Sequence, residues 1–233
     1  MQTTSALYQE LLALPHTEES RLLIDGAAYG TPELVEGSLK TEGSLFSGTT
    51  PAVGGAVAGE VSAALLGVAS GSVARMAKLQ PQVRLVGADG RTSEWIAQGV
   101  YNVDRRSYNK QTGVLTLHGY DKMLATEQWY TGTDAVDIDI VNRICTQVGI
   151  TLDDETAAFF AASGRSYVIP FPTDYTCREL LQTIAGCYGG NWCMTPVGEL
   201  RLVLLKLTAE ETSYLVDGVG SAITFGGDRI LVG

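Results

Sequence analysis

Val53-Gly54-Gly55-Ala56-Val57-Ala58-Gly59-Glu60-Val61 opens the stretch whose reading decides the fold, a run from Gly43 to about Gln128. It continues through Ala74-Arg75-Met76-Ala77-Lys78-Leu79-Gln80-Pro81-Gln82-Val83-Arg84-Leu85 and Ser93-Glu94-Trp95-Ile96. It then passes Gly99-Val100-Tyr101-Asn102-Val103-Asp104 and closes on Gly113-Val114-Leu115-Thr116-Leu117-His118-Gly119-Tyr120-Asp121-Lys122-Met123-Leu124. Apolar residues alternate with polar ones in short runs separated by Gly-rich turns, which predicts strands of a barrel-like β unit. The run ends on a short helix, Asp121 to Gln128, with Asp121 as N-cap.

Outward from that run the pattern changes on both sides. Upstream, Leu7, Leu11, Leu12 and Leu14 predict a terminal helix, Glu18 to Tyr29 a strand with a turn at Asp25-Gly26, and Leu34 to Leu45 a further alternating strand. Downstream, Asp137 to Val148 places Ile138, Val141, Ile144, Cys145 and Val148 on one helical face, with Gly149 as C-cap. Asp153 to Ala162 predicts a second helix. Thr176 to Tyr188 predicts a third, with Leu180, Leu181, Ile184, Ala185 and Tyr188 inward and Gly189-Gly190 as stop. Asn191 to Met194, the turn Thr195 to Gly198, and Glu199 to Leu205 read as a hairpin. Ala222 to Val232 returns to strand around Gly226-Gly227-Asp228. The fold class is therefore α+β and β-rich. A barrel domain at 1–130, resumed at 208–233, is interrupted by an α+β insertion at 131–207.

Composition narrows the function classes. A chain of 233 residues with 45% hydrophobic content has enough apolar surface for a substantial core. Sixteen basic against 26 acidic residues give a net charge of −10, and nucleic-acid binding through phosphate neutralisation needs the opposite balance. Arg105-Arg106 and Lys78 to Arg84 read as solvated strand faces. No window approaches the ~20 apolar residues of a membrane span. Met1 to Leu14 lacks the basic and apolar regions of a signal peptide.

The residues that could carry chemistry each have a plainer role. Gly54 to Gly59 contains neither a dinucleotide nor a P-loop fingerprint, and its small side chains suit close backbone approach or a bulge. His118 at a strand end has no nucleophile motif beside it. Asp134, Asp137 and Asp139 lack the glycine turn and terminal Glu of a calcium loop and belong to a helix's first turn. The same holds for Asp153-Asp154-Glu155. Cys145, Cys177, Cys187 and Cys193 form no zinc pattern with His16 or His118. They read as buried reduced thiols, with a Cys187–Cys193 disulfide as the competing assignment. No catalytic, cofactor or metal residue is assigned. Trp95, Trp129, Trp192 and the ten tyrosines are candidate interface anchors, most of them expected in the core.

Leu45-Phe46-Ser47-Gly48, Val53-Gly54-Gly55, Trp95-Ile96, Tyr101-Asn102-Val103-Asp104 and Gly119-Tyr120-Asp121-Lys122-Met123-Leu124 resemble the hub-type tail proteins of siphophage-like prophages in Gram-positive bacteria. Glu179 to Ala185, Gly189-Gly190-Asn191-Trp192 and Gly198-Glu199-Leu200-Arg201-Leu202 are similar to the α+β insertion of the same proteins. The resemblance implies a tail-tube-like barrel that assembles around a central channel, commonly as a trimer. It would join tail-tube and tail-tip or spike proteins, in a virion tail assembled in the bacterial cytoplasm, while DNA passes without specific binding. It implies no enzymatic activity and no cofactor. Family members continue past the equivalent of Val232 into further domains, so receptor-binding or lytic functions carried there do not transfer to this chain. Two other function classes stand beside this one. One is a host-surface or carbohydrate-binding module using the Trp129-Tyr130 loop. The other is a tail-associated cell-wall hydrolase fragment, which needs paired carboxylates, a Cys/His pair or a metal. A sugar-binding or lysis assay separates either from a hub.

Overall fold

Val61, Ala63 and Leu65 alternate with half-exposed neighbours along β4 (Glu60–Leu66), and this alternation builds the larger sheet. The computed structural model describes residues 4–205, 224–225 and 228–229. Helix α1 (Ala6–Leu12) precedes β1 (His16–Ile24), β2 (Ala27–Tyr29) and β3 (Lys40–Glu42). After β4 come β5 (Lys78–Gly87), β6 (Ile96–Ala97), β7 (Tyr101–Asn109) and β8 (Val114–Asp121). They form one eight-stranded sheet in the order β2-β1-β5-β7-β8-β4-β3, with β6 beside β5, and every pairing is antiparallel. Its inner face buries Leu22, Ile24, Val61, Leu65, Leu79, Val103, Leu115 and Leu117.

The sheet differs from the expected barrel. It is an open path with β2 at one edge and β3 at the other, and among the described residues no pairing joins those edges. The expected strand over Leu34–Leu45 is reduced to Lys40–Glu42 plus a single bridge from Leu34 to Leu65. Gly37, at φ 68°, breaks the extended run between them. The expected return of the chain to the sheet at 208–233 falls largely outside the described residues. Within it, β11 (Thr224–Phe225) and β12 (Asp228–Arg229) pair with each other.

A second core follows. The short helix expected after Asp121 is a 3-10 helix, Lys122–Glu127, capped by Asp121, whose carboxylate accepts the Met123 N–H. Helices α2 (Asp137–Val148), α3 (Asp154–Ser163) and α4 (Cys177–Tyr188) then pack with the hairpin β9 (Gly190–Met194) and β10 (Leu200–Leu204). Helix α2 ends at Gly149 in the left-handed conformation, as its sequence predicts. Its buried face includes Ile140, whereas Ile138, expected inward, is only partly buried. Helix α4 begins with a full capping box, Thr176 and Glu179 each bonding the other's backbone N–H. Trp192 is wholly buried at the centre of this core, its indole N–H donating to the Leu181 carbonyl at 2.7 Å.

Candidate functional site

The glycine-rich stretch joins the two cores. It adds no barrel corner; it runs beside β9, with Ala56 bridged in parallel to Trp192. The Trp192 N–H donates to the Gly55 carbonyl at 2.8 Å, and the Gly54 N–H to the Gly190 carbonyl at 2.8 Å. Gly55 donates to Asn191 Oδ1 at 2.6 Å, while Asn191 Nδ2 donates to the Ala52 carbonyl at 2.7 Å. A Cβ on Gly55 would run into the Leu45 carbonyl oxygen and lie 3.0 Å from Asn191 Oδ1. Small residues are thus required here by close backbone approach, one of the two roles their sequence predicts.

Asp121 fixes the other side of the junction. It is 9% exposed and accepts the Gly59 N–H at 2.8 Å and the Met123 N–H at 2.9 Å. Burial pushes its carboxyl up to about 6, against the lowering effect of those two N–H groups and of the Arg178 charge. Arg178 on α4 donates to the Met123 carbonyl at 2.7 Å and pairs with Glu127 at 2.6 Å, so the 3-10 helix is clamped from both cores. A cleft of about 300 Å³ opens here, lined by Glu42, Tyr101, Asp121, Cys193 and Thr195 among others. These groups supply a positioning network. Asp121 is engaged by two backbone donors, and no neighbouring imidazole or metal-ligand set accompanies it among the described residues.

The residues singled out in the sequence are scattered. His118 Nε2 lies 3.1 Å from Glu60 Oε2, edge-on to Tyr120, on the face of β8 opposite the buried Asp121 three residues further along the same strand. Asp137 is 1% exposed and accepts from Tyr188 Oη at 2.6 Å and the Tyr167 N–H at 3.1 Å, so it is a buried structural acceptor. Asp153 caps α3 and pairs with Arg201 at 2.6 Å. Burial pushes its carboxyl up, but the Arg201 hydrogen bond and charge and the Thr156 donors together outweigh this and hold it below the usual range. All four cysteines are free. Cys145 and Cys177 are buried as expected, but Cys187 is exposed, because it follows the inward Ile184-Ala185 pair by a half-turn on α4.

Among the tryptophans, Trp192 is core and Trp95 is half-buried beneath the guanidinium groups of Arg21 and Arg84, at 4.1 and 4.6 Å. Trp129 is 63% exposed. Its backbone is held on two sides: Gln147 Nε2 donates to its carbonyl at 2.8 Å, and it bridges Thr176 in antiparallel register. Phe171 and Tyr175, on the segment entering α4, are also exposed, and the Tyr175 carbonyl accepts the Tyr130 N–H. Sequence reasoning missed Phe171, which stands in the left-handed region at φ 53° between Pro170 and Pro172.

Sheet edges and the exposed Trp129, Phe171 and Tyr175 are among the features of the described residues open to partners. No family model matches the chain, and no curated protein does. Among solved structures it is similar to the 43 kDa tail protein of prophage MuSo2 from Shewanella oneidensis. The identity is 14% over 86% of this chain and 58% of that one, with a TM-score of 0.49. It is also similar to a tail protein from Neisseria meningitidis MC58, at 13% identity over 79% and 51% with a TM-score of 0.45. A chain of a Francisella PdpA–VgrG complex gives 9% identity over 80% and 31% with a TM-score of 0.46. The chain spans less than two thirds of the length of each of these proteins.

Proposed function

We propose that the chain is a structural component of a phage or prophage tail, of hub or baseplate type, that joins the tail tube to the tail tip around a central channel. The observation that carries this reading is the open antiparallel sheet whose end strands, β2 and β3, have no further partner among the described residues. Unpaired edges invite association, and a ring of identical protomers pairs or covers them by symmetry. The motifs from Leu45 to Leu124 that resemble tail hubs point the same way.

In this reading residues 1–130, with 208–233, build the ring and 131–207 form an insertion on it. The barrel closes between neighbouring protomers, three for preference, and the protein resides in the virion tail without a catalytic step or a cofactor. A net charge of −10 suits a channel past which DNA slides without adhering. No helix among the described residues is long and apolar enough to cross a membrane.

Light scattering across a concentration series tests the ring. A trimer mass is expected. A strict monomer at high concentration, alone and with the tube protein, overturns it.

The exposed aromatic corner of Trp129, Phe171 and Tyr175 favours a second reading, a host-surface carbohydrate-binding module. Saturable binding of cell-wall polysaccharide, lost in Trp129→Ala, would support that reading over the hub.

A further inference from the structure

Strand β7 has two neighbours over only part of its length. On one side β8 accompanies it from Tyr101 to Asn109; on the other β5 pairs with it only at Tyr101 and Asn102. The register with β8 slips between Val103 and Arg105, so Asp104 is an inserted residue that bends the strand. From Asp104 to Asn109 all six residues are exposed, and no described strand pairs with them on the outer side. A free edge of this length is a template onto which an extended peptide adds by main-chain hydrogen bonds.

The side chains on this edge reverse the sign of the molecule. Arg105, Arg106 and Lys110 lie along it and Arg75 beside it, against the single carboxylate Asp104, on a chain of net charge −10. None of the four cations is in an ion pair with another described residue. Arg106 caps the carbonyl oxygens of Ser70 and Val73, which keeps its charge at the rim of a cleft of about 560 Å³.

Met76 stands where that cleft meets a second, smaller one of about 140 Å³ that Leu124, Ala125 and Tyr120 help to line. It is 65% exposed and lies in the left-handed region at φ 60°, its carbonyl held by Asn102 Nδ2 at 3.0 Å. Glycine would take that backbone conformation without strain. An apolar side chain kept on strained backbone and turned to solvent is a contact residue in search of a surface.

We propose that the Asp104–Asn109 edge binds an extended acidic segment of a partner protein. The segment adds to β7 as a further strand, sets carboxylates against Arg75 and Arg105, and places an apolar side chain beside Met76 and Leu124. A nucleic acid would use the four cations but neither the strand edge nor the apolar cleft, and so fits fewer of the observations.

The test uses the intact chain and a fluorescein-labelled peptide of roughly ten residues in which glutamate alternates with valine and threonine. A counterpart with lysine in place of glutamate serves as control. Anisotropy should saturate with the acidic peptide and not with the lysine one. The double variant Arg75→Glu, Arg105→Glu should weaken binding about tenfold or more. Met76→Gly should weaken it several-fold with no fall in melting temperature, since the strain is relieved. Amide exchange should slow at residues 104–109 on peptide addition. Absence of saturation, equal binding of the lysine peptide, or indifference to the charge reversal overturns the proposal. Displacement of the peptide by a duplex DNA oligonucleotide overturns it in favour of nucleic acid. A self-associated mass that the double variant abolishes overturns it in favour of a second copy.

Discussion

The N–H of Gly55 donates to Oδ1 of Asn191 at 2.6 Å, and this bond, between residues 136 apart in sequence, ties the glycine-rich stretch to the α+β core. Asn191 is wholly buried and uses its amide on the Ala52 carbonyl as well, so one side chain satisfies a donor and an acceptor of the same loop.

Asn191→Ala removes the partner of both of those part-buried backbone groups and should cost about 1–3 kcal/mol. Gly55→Ala drives a methyl group at the Leu45 carbonyl and should cost roughly 1–3 kcal/mol. Urea unfolding midpoints read both. A loss below about 0.5 kcal/mol in either variant would mean that the loop does not hold the two cores together.

Local signals along the chain were legible because they need only neighbours. The Asp121 cap, the Gly149 stop and the Thr176 start are written in one or two residues each, and the structure has all three. The Gly54–Gly59 stretch was legible only as needing close approach or a bulge; its partner, Asn191, lies too far along the sequence for any period to reveal. Closure of the sheet was not legible, since alternation fixes which face is buried and says nothing about whether the end strands meet. Phe171 left no signal: its exposed ring sits on left-handed backbone, and a residue before proline is expected to be extended.

Asp121 makes stability depend on pH in the less common direction. Its folded value of about 6 lies above the ordinary 3.8, so between those values the native state binds more protons than the unfolded chain. Stability from this group is present below about pH 4 and is lost as pH rises through about 6, to the extent of roughly 3 kcal/mol. Asp121→Asn keeps one backbone acceptor but sets an NH2 group against the other N–H, and it does not titrate. The advantage of the native chain over this variant should therefore shrink from about pH 4 to about pH 7. A constant difference across that range would show that Asp121 is charged throughout.

Thiol reactivity should divide the cysteines. Cys187 is exposed, whereas burial pushes Cys145 and Cys177 up to about 11 and raises Cys193 as well. A maleimide at neutral pH should label Cys187 first, Cys193 more slowly, and Cys145 and Cys177 only on unfolding. Peptide mapping by mass spectrometry gives the order. Early labelling of Cys145 or Cys177 would place α2 or α4 in an opened state under native conditions.

Trp192 and Trp129 offer the sharpest division between core and surface. Trp192 has no exposed surface, stacks near Phe160 at 6.4 Å between ring centres, and spends its indole N–H on Leu181. Trp192→Ala should cost about 3–5 kcal/mol, because it removes a large buried side chain and leaves a cavity in the second core. Trp129 gives its ring to solvent, and the bonds that fix its position are made by its backbone, so Trp129→Ala leaves Gln147 and Thr176 their partners. It should change stability by no more than about 0.5 kcal/mol. If the aromatic corner contacts a polysaccharide or a tail protein, that variant loses the association while its unfolding midpoint stays put. A large drop in its midpoint would show the ring to be packed in the molecule, and the corner would then no longer count as a free surface.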